Sequence, residues 1–237
     1  MEVIELLPGR LHLLRFNFGQ AYLWQDPGSV TLIDTGPSGS SWRIAEMIRG
    51  LGYRPGDLRY LILTHCHRDH AGAAADIGGW DNVTVLAHGL DAPVIRGEVP
   101  GRRAELTDEE RELWALIRTT VGRVPPAPAA RVDGEVDHGD VLDFGGGASV
   151  IAAPGHTEGS IAIYLPEHRI LFTGDTVARA PDDRVILGPF NVDRKQSIAS
   201  FGHLAEIDAD IACFGHGDPV VGGASAALRA ATASLRS

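Results

Sequence analysis

Apolar and polar positions along the chain alternate between two periods, and each switch marks an element. Val30 to Ile33 in "SVTLIDTG" form a short β-branched apolar run that stops at Asp34, Thr35 and Gly36, the pattern of a buried strand ending in a turn. In "SSWRIAEMIRGLGY" the residues Ile44, Met47, Ile48 and Leu51 fall at helical spacing, and Gly52 closes the helix. Further strands are predicted in "RYLILTH", ending at His65, in "NVTVLAH", in "ASVIAAPGH", ending at His156, and in "DIACFGHG", ending near His216. "SIAIYL" and "RILFTGD" read as a hairpin whose second strand ends at Asp175, and "AGAAADIGG" reads as a short helix. In "TDEERELWALIRTTVG" a longer helix is expected, with Thr107 as N-cap and Glu110 three residues on. The Ala/Pro-rich "VPPAPAAR" follows it, and Leu90 to Arg131 reads as an insertion or lid within one domain over residues 1–237. Strands and helices come in mixed runs with hairpins, so a purely alternating parallel sheet is not expected.

The predicted strand ends carry the chemistry. Side chains at one edge of a sheet converge in space while remaining distant in sequence, so a rigid scaffold can support a site built from loops. "HCHRDH" places three histidines and an aspartate between His65 and His70. Imidazoles and carboxylates at that density are costly to pack together without a cation, and both are standard ligands of zinc and neighbouring metals. His65 and His67, two residues apart, can face one metal, while Asp69 and His70, one turn later, can face another. His156 in "APGHTEG", Asp175 in "FTGDT" and His216 in "FGHGDP" are weak signals taken singly.

Their order is not weak. Asp34, "HCHRDH", His156, Asp175 and His216 together resemble the metallo-β-lactamase-fold hydrolase family, whose signature is an early Asp, a His-x-His-x-Asp-His block, then His, Asp and His. That resemblance implies a four-layer αββα sandwich of two mixed β-sheets with a two-metal site. It implies that His65, His67 and His156 hold the first metal, that Asp69, His70 and His216 hold the second, and that Asp175 bridges both. Asp34 then accepts a hydrogen bond from a ligating group and fixes its orientation, and Asp69 carries a proton; these two are the catalytic candidates. Two divalent ions are implied, zinc first, with manganese or iron as alternatives, and a bridging hydroxide as nucleophile. Between its metal-facing neighbours Cys66 is expected to point away from the metal as a small apolar filler, and Arg68 to reach solvent or a carboxylate. Gly72, Gly155, Gly174 and Gly215 flank the ligands and are expected to permit tight turns.

Departures from the family pattern narrow the substrate. True β-lactamases of this fold usually carry Cys or Ser where Asp175 stands, and glyoxalase II enzymes carry an added helical domain, whereas only about twenty residues follow His216. Lactonase relatives often place a Tyr soon after the bridging Asp, and "GDTVARAPDDR" has none. A small-molecule thioester, lactone or related ester is the expected substrate, with Leu90 to Arg131 and Val177 to Arg194 as candidate substrate-contacting segments. The alternative is a sulfur dioxygenase-like oxidoreductase of the same fold with a single iron.

Composition changes this picture in only a few respects. With 44% hydrophobic and 22% charged residues the chain can bury an ordinary globular core. The N-terminal "MEVIELLPGRLHLLRFNF" has acids and a Pro-Gly pair where a secretory signal has basic residues and an unbroken apolar run. Cys66 and Cys213 are the two cysteines, so a reducing, cytoplasmic setting is expected, with no membrane partner and a monomeric or homodimeric state. The net charge of −10 opposes a phosphate-backbone partner. Accordingly the protein should bind DNA and RNA only weakly at physiological salt; submicromolar, salt-sensitive binding in a titration with either would contradict that expectation.

Overall fold

The computed structural model describes residues 1–122 and 124–235, which form two compact units. The first comprises Met1–Gly101 and Val121–Val136. Its sheet has the order β1 (Glu2–Leu7), β2 (Leu11–Arg15), β3 (Gln20–Asp26), β4 (Ser29–Ile33), β5 (Leu58–Ile62), β6 (Thr84–His88) and β7 (Gly134–Val136). Neighbours from β1 to β4 pair antiparallel and those from β4 to β7 parallel, so the sheet is mixed. The parallel steps are joined through α1 (Ser41–Gly50) and α2 (Ala74–Gly78), with α3 (Ala92–Ile95) after β6. On α1 Ile44, Ala45 and Ile48 are buried and Met47 packs half-buried against the same core, as the helical spacing predicts. Fully burying an aliphatic side chain of this size contributes about 1.5–3 kcal/mol.

Strands β1 to β3 precede the first strand expected from the sequence. Most positions of "LHLLR" and "QAYLWQD" are buried on both faces, so no inside–outside alternation marks them. Gly9 (φ +63°) and Gly28 (φ +82°) occupy the turns of this meander.

The second unit comprises Arg102–Thr120 and the described residues from Asp137 onward. It begins with α4 (Asp108–Thr120), where Thr107 Oγ1 accepts the Glu110 N–H and Glu110 Oε2 accepts the Thr107 N–H, the reciprocal cap expected from the sequence. Its main sheet contains β8 (Val141–Leu142), β9 (Ala148–Ala152), β10 (Ile161–Leu165), β11 (Ile170–Phe172), β14 (Ile211–Cys213) and β15 (Val220–Val221), in the order β15-β14-β11-β10-β9-β8. The predicted hairpin is β10–β11, paired Ile163 to Phe172, and β11 pairs parallel with β14, so this sheet is mixed as well. A ribbon of β12 (Val177–Arg179) and β13 (Val185–Leu187) follows β11 along the chain, and α5 (Arg194–Leu204) and α6 (Ala224–Leu235) pack on the core around Phe201, Phe214 and Leu228. No helix among the described residues is long and apolar enough to cross a membrane.

In each case the strand ends before the candidate ligand that was expected to terminate it. β5 stops at Ile62, β9 at Ala152, β11 at Phe172 and β14 at Cys213, so His65, His156, Asp175 and His216 lie on the loops that follow. Ladder pairing ends because the next backbone groups bond elsewhere: the Thr64 N–H turns to the Asp34 carboxylate, for example.

Close approach rather than a left-handed backbone explains Gly72, where a Cβ would collide with the Arg68 carbonyl oxygen and the Ser38 amide nitrogen. Both obstacles are backbone and cannot swing aside. Gly72→Ala is expected to destabilise the metal-free protein by about 1–3 kcal/mol, read as a lower urea midpoint; an unchanged midpoint would contradict this packing account.

Candidate metal centre

The ligand-rich block of the first unit is built against the end of β4. Asp34 continues the strand by donating its N–H to the Ile62 carbonyl at 2.8 Å, then turns with φ +60°. That left-handed backbone is tolerated by Asp better than by most residues. Its side chain is buried, with Oδ1 accepting the Thr64 N–H at 2.8 Å and Oδ2 accepting both the Thr64 hydroxyl at 2.8 Å and the His70 Nδ1–H at 2.8 Å. Because the Thr64 hydroxyl proton goes to Asp34, the 3.0 Å contact between Thr64 Oγ1 and His65 Nδ1 has His65 as donor. Both imidazoles therefore carry their proton on Nδ1 and present the Nε2 lone pair, the tautomer a metal ligand needs.

The four block residues are brought together. The His65 ring meets His67 edge-on at 4.8 Å between centroids and lies 4.2 Å from His70. Ligand atoms of His65 and His67 lie within 4.8 Å of each other, as do those of His65 and His70. Asp69 Oδ2 is 3.6 Å from His70 Nε2. His65, Asp69 and His70 are buried and His67 is half-buried. The turn itself is fixed by Thr35, whose N–H and hydroxyl both donate to the His70 carbonyl at 2.7 Å and whose Oγ1 accepts the Ala73 N–H. Gly19 lies against the Asp69 carbonyl, where a Cβ would approach to 2.5 Å.

In the second unit a carboxylate sits between two imidazoles. Asp175 Oδ2 lies 3.4 Å from His156 Nε2 and 3.3 Å from His216 Nε2, one oxygen serving both contacts. Asp175 occupies a short 3₁₀ turn, Gly174–Thr176, that opens on a positive-φ glycine (φ +52°). The Gly215 N–H donates to the Gly174 carbonyl, tying the His216 loop to this turn. Gly155 (φ +126°) brings the His156 loop so close to α5 that a side chain there would meet the Ser197 backbone. His156 and Asp175 are buried, while the His216 side chain is 31% exposed.

Chemically, both sets suit a divalent transition metal: imidazoles, two of them in the first unit with oriented Nε2 lone pairs, and carboxylates of low exposure that lie beside them. Cys66 is half-buried against the first unit's core and its N–H donates to Asp91 Oδ2 at 2.8 Å, while Arg68 reaches the Val124 carbonyl. Thr35, Thr64 and Asp91 support the block without having been singled out from the sequence. Thr35 lies inside the quoted "DTG" and Thr64 immediately precedes His65, so proximity to the motif was the one available signal. His12 lies apart from the cluster, beside Glu5 and Gln25, and burial depresses its pKa below the ordinary imidazole value.

Comparison with known proteins gives these residues a family context. The sequence profile described as the Metallo-beta-lactamase superfamily matches residues 14–216, a span that runs from before Asp34 to His216. The probable metallo-hydrolase YflN of Bacillus subtilis (strain 168) is 29% identical over 235 residues, covering 90% of this chain and 85% of that protein. A hydroxyacylglutathione hydrolase of Rhodobacter capsulatus is 32% identical over 158 residues, covering 66% of this chain and 47% of that protein. The crystal structure of a metallo-beta-lactamase family protein from Thermus thermophilus matches with a TM-score of 0.67 at 25% identity, over 98% of this chain and 79% of that one.

Asp34→Ala removes the acceptor that orients His70 and, through Thr64, His65. Zinc affinity in a competition titration is expected to fall about 10–100-fold, the usual effect of deleting a partner behind a ligating histidine. An affinity within about twofold of the parent would show that Asp34 does not orient a ligand.

Proposed function

Since the chain belongs to the Metallo-beta-lactamase superfamily and has its fold, we propose that it is a metal-dependent hydrolase of a small-molecule thioester, lactone or related ester. In this reading His65, His67 and His156 are ligands of one divalent cation, Asp69, His70 and His216 of a second, and Asp175 of both. The observation that carries it is the shared Asp175 Oδ2, in contact with the imidazoles of both His156 and His216, as a carboxylate common to two ions would be. Relatives named as a metallo-hydrolase and as a hydroxyacylglutathione hydrolase support a hydrolytic reaction on an acyl compound.

When bound, a pair of such ions supplies Lewis acidity towards the substrate oxygen and ionises water near neutral pH. The protein's own part is orientation and proton transfer. Asp34 holds the His70 Nδ1–H and sets the tautomer of its ligating nitrogen. Asp69 has low exposure and lies beside His70, where its carboxylate can carry the proton released by the attacking water to the leaving group. Water adds across the acyl bond: the acyl carbon gains an oxygen as the carbon–sulfur or carbon–oxygen bond breaks, and the thiol or alcohol leaves with a proton. Asp175 and His156 are buried while His216 is half-exposed, so solvent and substrate have a side of the ligand set to approach from.

The test is anaerobic. Zinc- or manganese-loaded protein, carrying about two ions per chain, is expected to cleave at least one member of a panel of thioesters, lactones and aryl esters, and Asp175→Ala to abolish that cleavage. A metal content that stays near one per chain after saturation would remove the two-ion assignment. Iron-specific oxygen uptake with a persulfide, with no member of the ester panel cleaved, would replace the hydrolase by a dioxygenase.

A further inference from the structure

Helix α4 reverses the usual rule of helix burial. A helix laid on a core hides its apolar stripe and exposes its acids. Among the residues of α4 the buried one is Glu110, while Leu113, Trp114 and Leu116 are 38%, 46% and 58% exposed. The helix is held by polar contacts made around that glutamate. Glu110 Oε1 accepts the Phe190 N–H at 3.2 Å and lies 3.5 Å from Arg194 Nη1, and just before the helix the Glu105 N–H donates to the Asn191 carbonyl at 2.9 Å. Apolar packing adds one contact to this tether: the Trp114 ring meets Phe190 edge to face at 5.4 Å.

The segment that receives this tether is the one that braces two candidate ligands. The Val192 N–H donates to the His156 carbonyl at 3.3 Å, and the Gly188 N–H donates to the Thr176 carbonyl at 3.2 Å, next to Asp175. Gly188 lies so close to the Asp175 carbonyl that no side chain fits there. Between these two braces Phe190 has φ +66°, a left-handed backbone that strains a bulky L-residue. Glycine would be unstrained there. The chain nevertheless places an aromatic ring at this position, against the exposed Trp114, a few residues from the His156 and Asp175 contacts.

We propose that Trp114 and Phe190 are specificity-determining residues that receive an apolar acyl group of the substrate. The inference rests on the hydrolase reading above and adds the substrate class: an acyl chain of several carbons rather than a short or charged acyl group. Large apolar side chains left exposed together on one element make a candidate binding face. Here the surface is presented by a helix anchored mainly through polar groups, so Leu113, Trp114 and Leu116 are not spent on the core.

The test is a thioester series sharing one small thiol, with acetyl, butanoyl, hexanoyl and octanoyl groups, on metal-loaded protein. For the parent, kcat/KM is expected to rise by about fourfold per methylene until the surface is covered. Trp114→Ala and Phe190→Gly are each expected to lower the octanoyl-to-acetyl ratio by about tenfold or more. Phe190→Gly relieves the positive φ while deleting the ring, so loss of folding does not confuse the result. Ketone analogues, in which a methylene replaces the thioester sulfur, bind without being cleaved, and their dissociation constants are expected to follow the same order. A parent that cleaves acetyl and octanoyl thioesters equally well, or variants that keep the parental slope, would overturn this inference and leave the hydrolase reading standing. If no thioester is cleaved the hydrolase reading loses its support, and the ketone series alone decides: equal binding of long and short analogues then overturns the acyl assignment too.

Discussion

The arrangement of the first unit depends on one buried carboxylate. Asp34 closes β4, adopts a left-handed backbone and accepts three hydrogen bonds, from the Thr64 amide, the Thr64 hydroxyl and His70 Nδ1. A buried acid is costly unless its acceptors are satisfied, and here each donor also performs a task. The Thr64 amide draws the chain out of β5, the Thr64 hydroxyl passes the polarity on to His65, and His70 receives a fixed tautomer. Removing Asp34 would leave these donors without their acceptor and the two imidazoles without a defined orientation. In a low-dielectric setting such a network is strong when complete and fragile when broken.

The second unit reaches comparable order by different means. Its three candidate ligands come from loops after β9, β11 and β14, and backbone contacts hold those loops: Gly215 to Gly174, Val192 to His156, Gly188 against Asp175. Glycines are required where backbones meet this closely, as at Gly155 and Gly188, because a Cβ would strike neighbouring backbone. Strands stop short of the ligands in both units, so the sheets supply rigid platforms while the loops supply aim.

Helix α4 shows how stability and recognition can be separated within one element. Its reciprocal Thr107–Glu110 cap and the Glu110–Phe190 bond attach it through polar groups, and Leu113, Trp114 and Leu116 remain exposed. The strained backbone of Phe190 is consistent with that division. Strain of this kind persists where the surrounding contacts over-determine a conformation, and here the bonds from residues 188, 190 and 192 do so.

Much of this protein was legible in its sequence because the informative signals are local. The "HCHRDH" block, the helical spacing of Ile44 and Ile48, the β10–β11 hairpin and the Thr107–Glu110 cap each involve residues within a few positions of one another, and local spacing determines which of them share a face. The family order from Asp34 to His216 was equally visible, since it is an order along the chain. Strands β2 and β3 were not, because burial on both faces erases the alternation by which a strand is recognised. The segment Leu90 to Arg131 was legible as a lid offering apolar surface, but the contacts that hold α4 through Glu110 to Phe190 and Arg194 were not, since they join residues some 80 positions apart. Contacts between residues 30 or more apart, such as Asp34 with Thr64 and His70, were decided by the tertiary structure. So was the tautomer of His65 and of His70. Periodicity and motif spacing report which side chains are available, but a proton's position on an imidazole depends on which acceptor the fold brings within 3 Å of it.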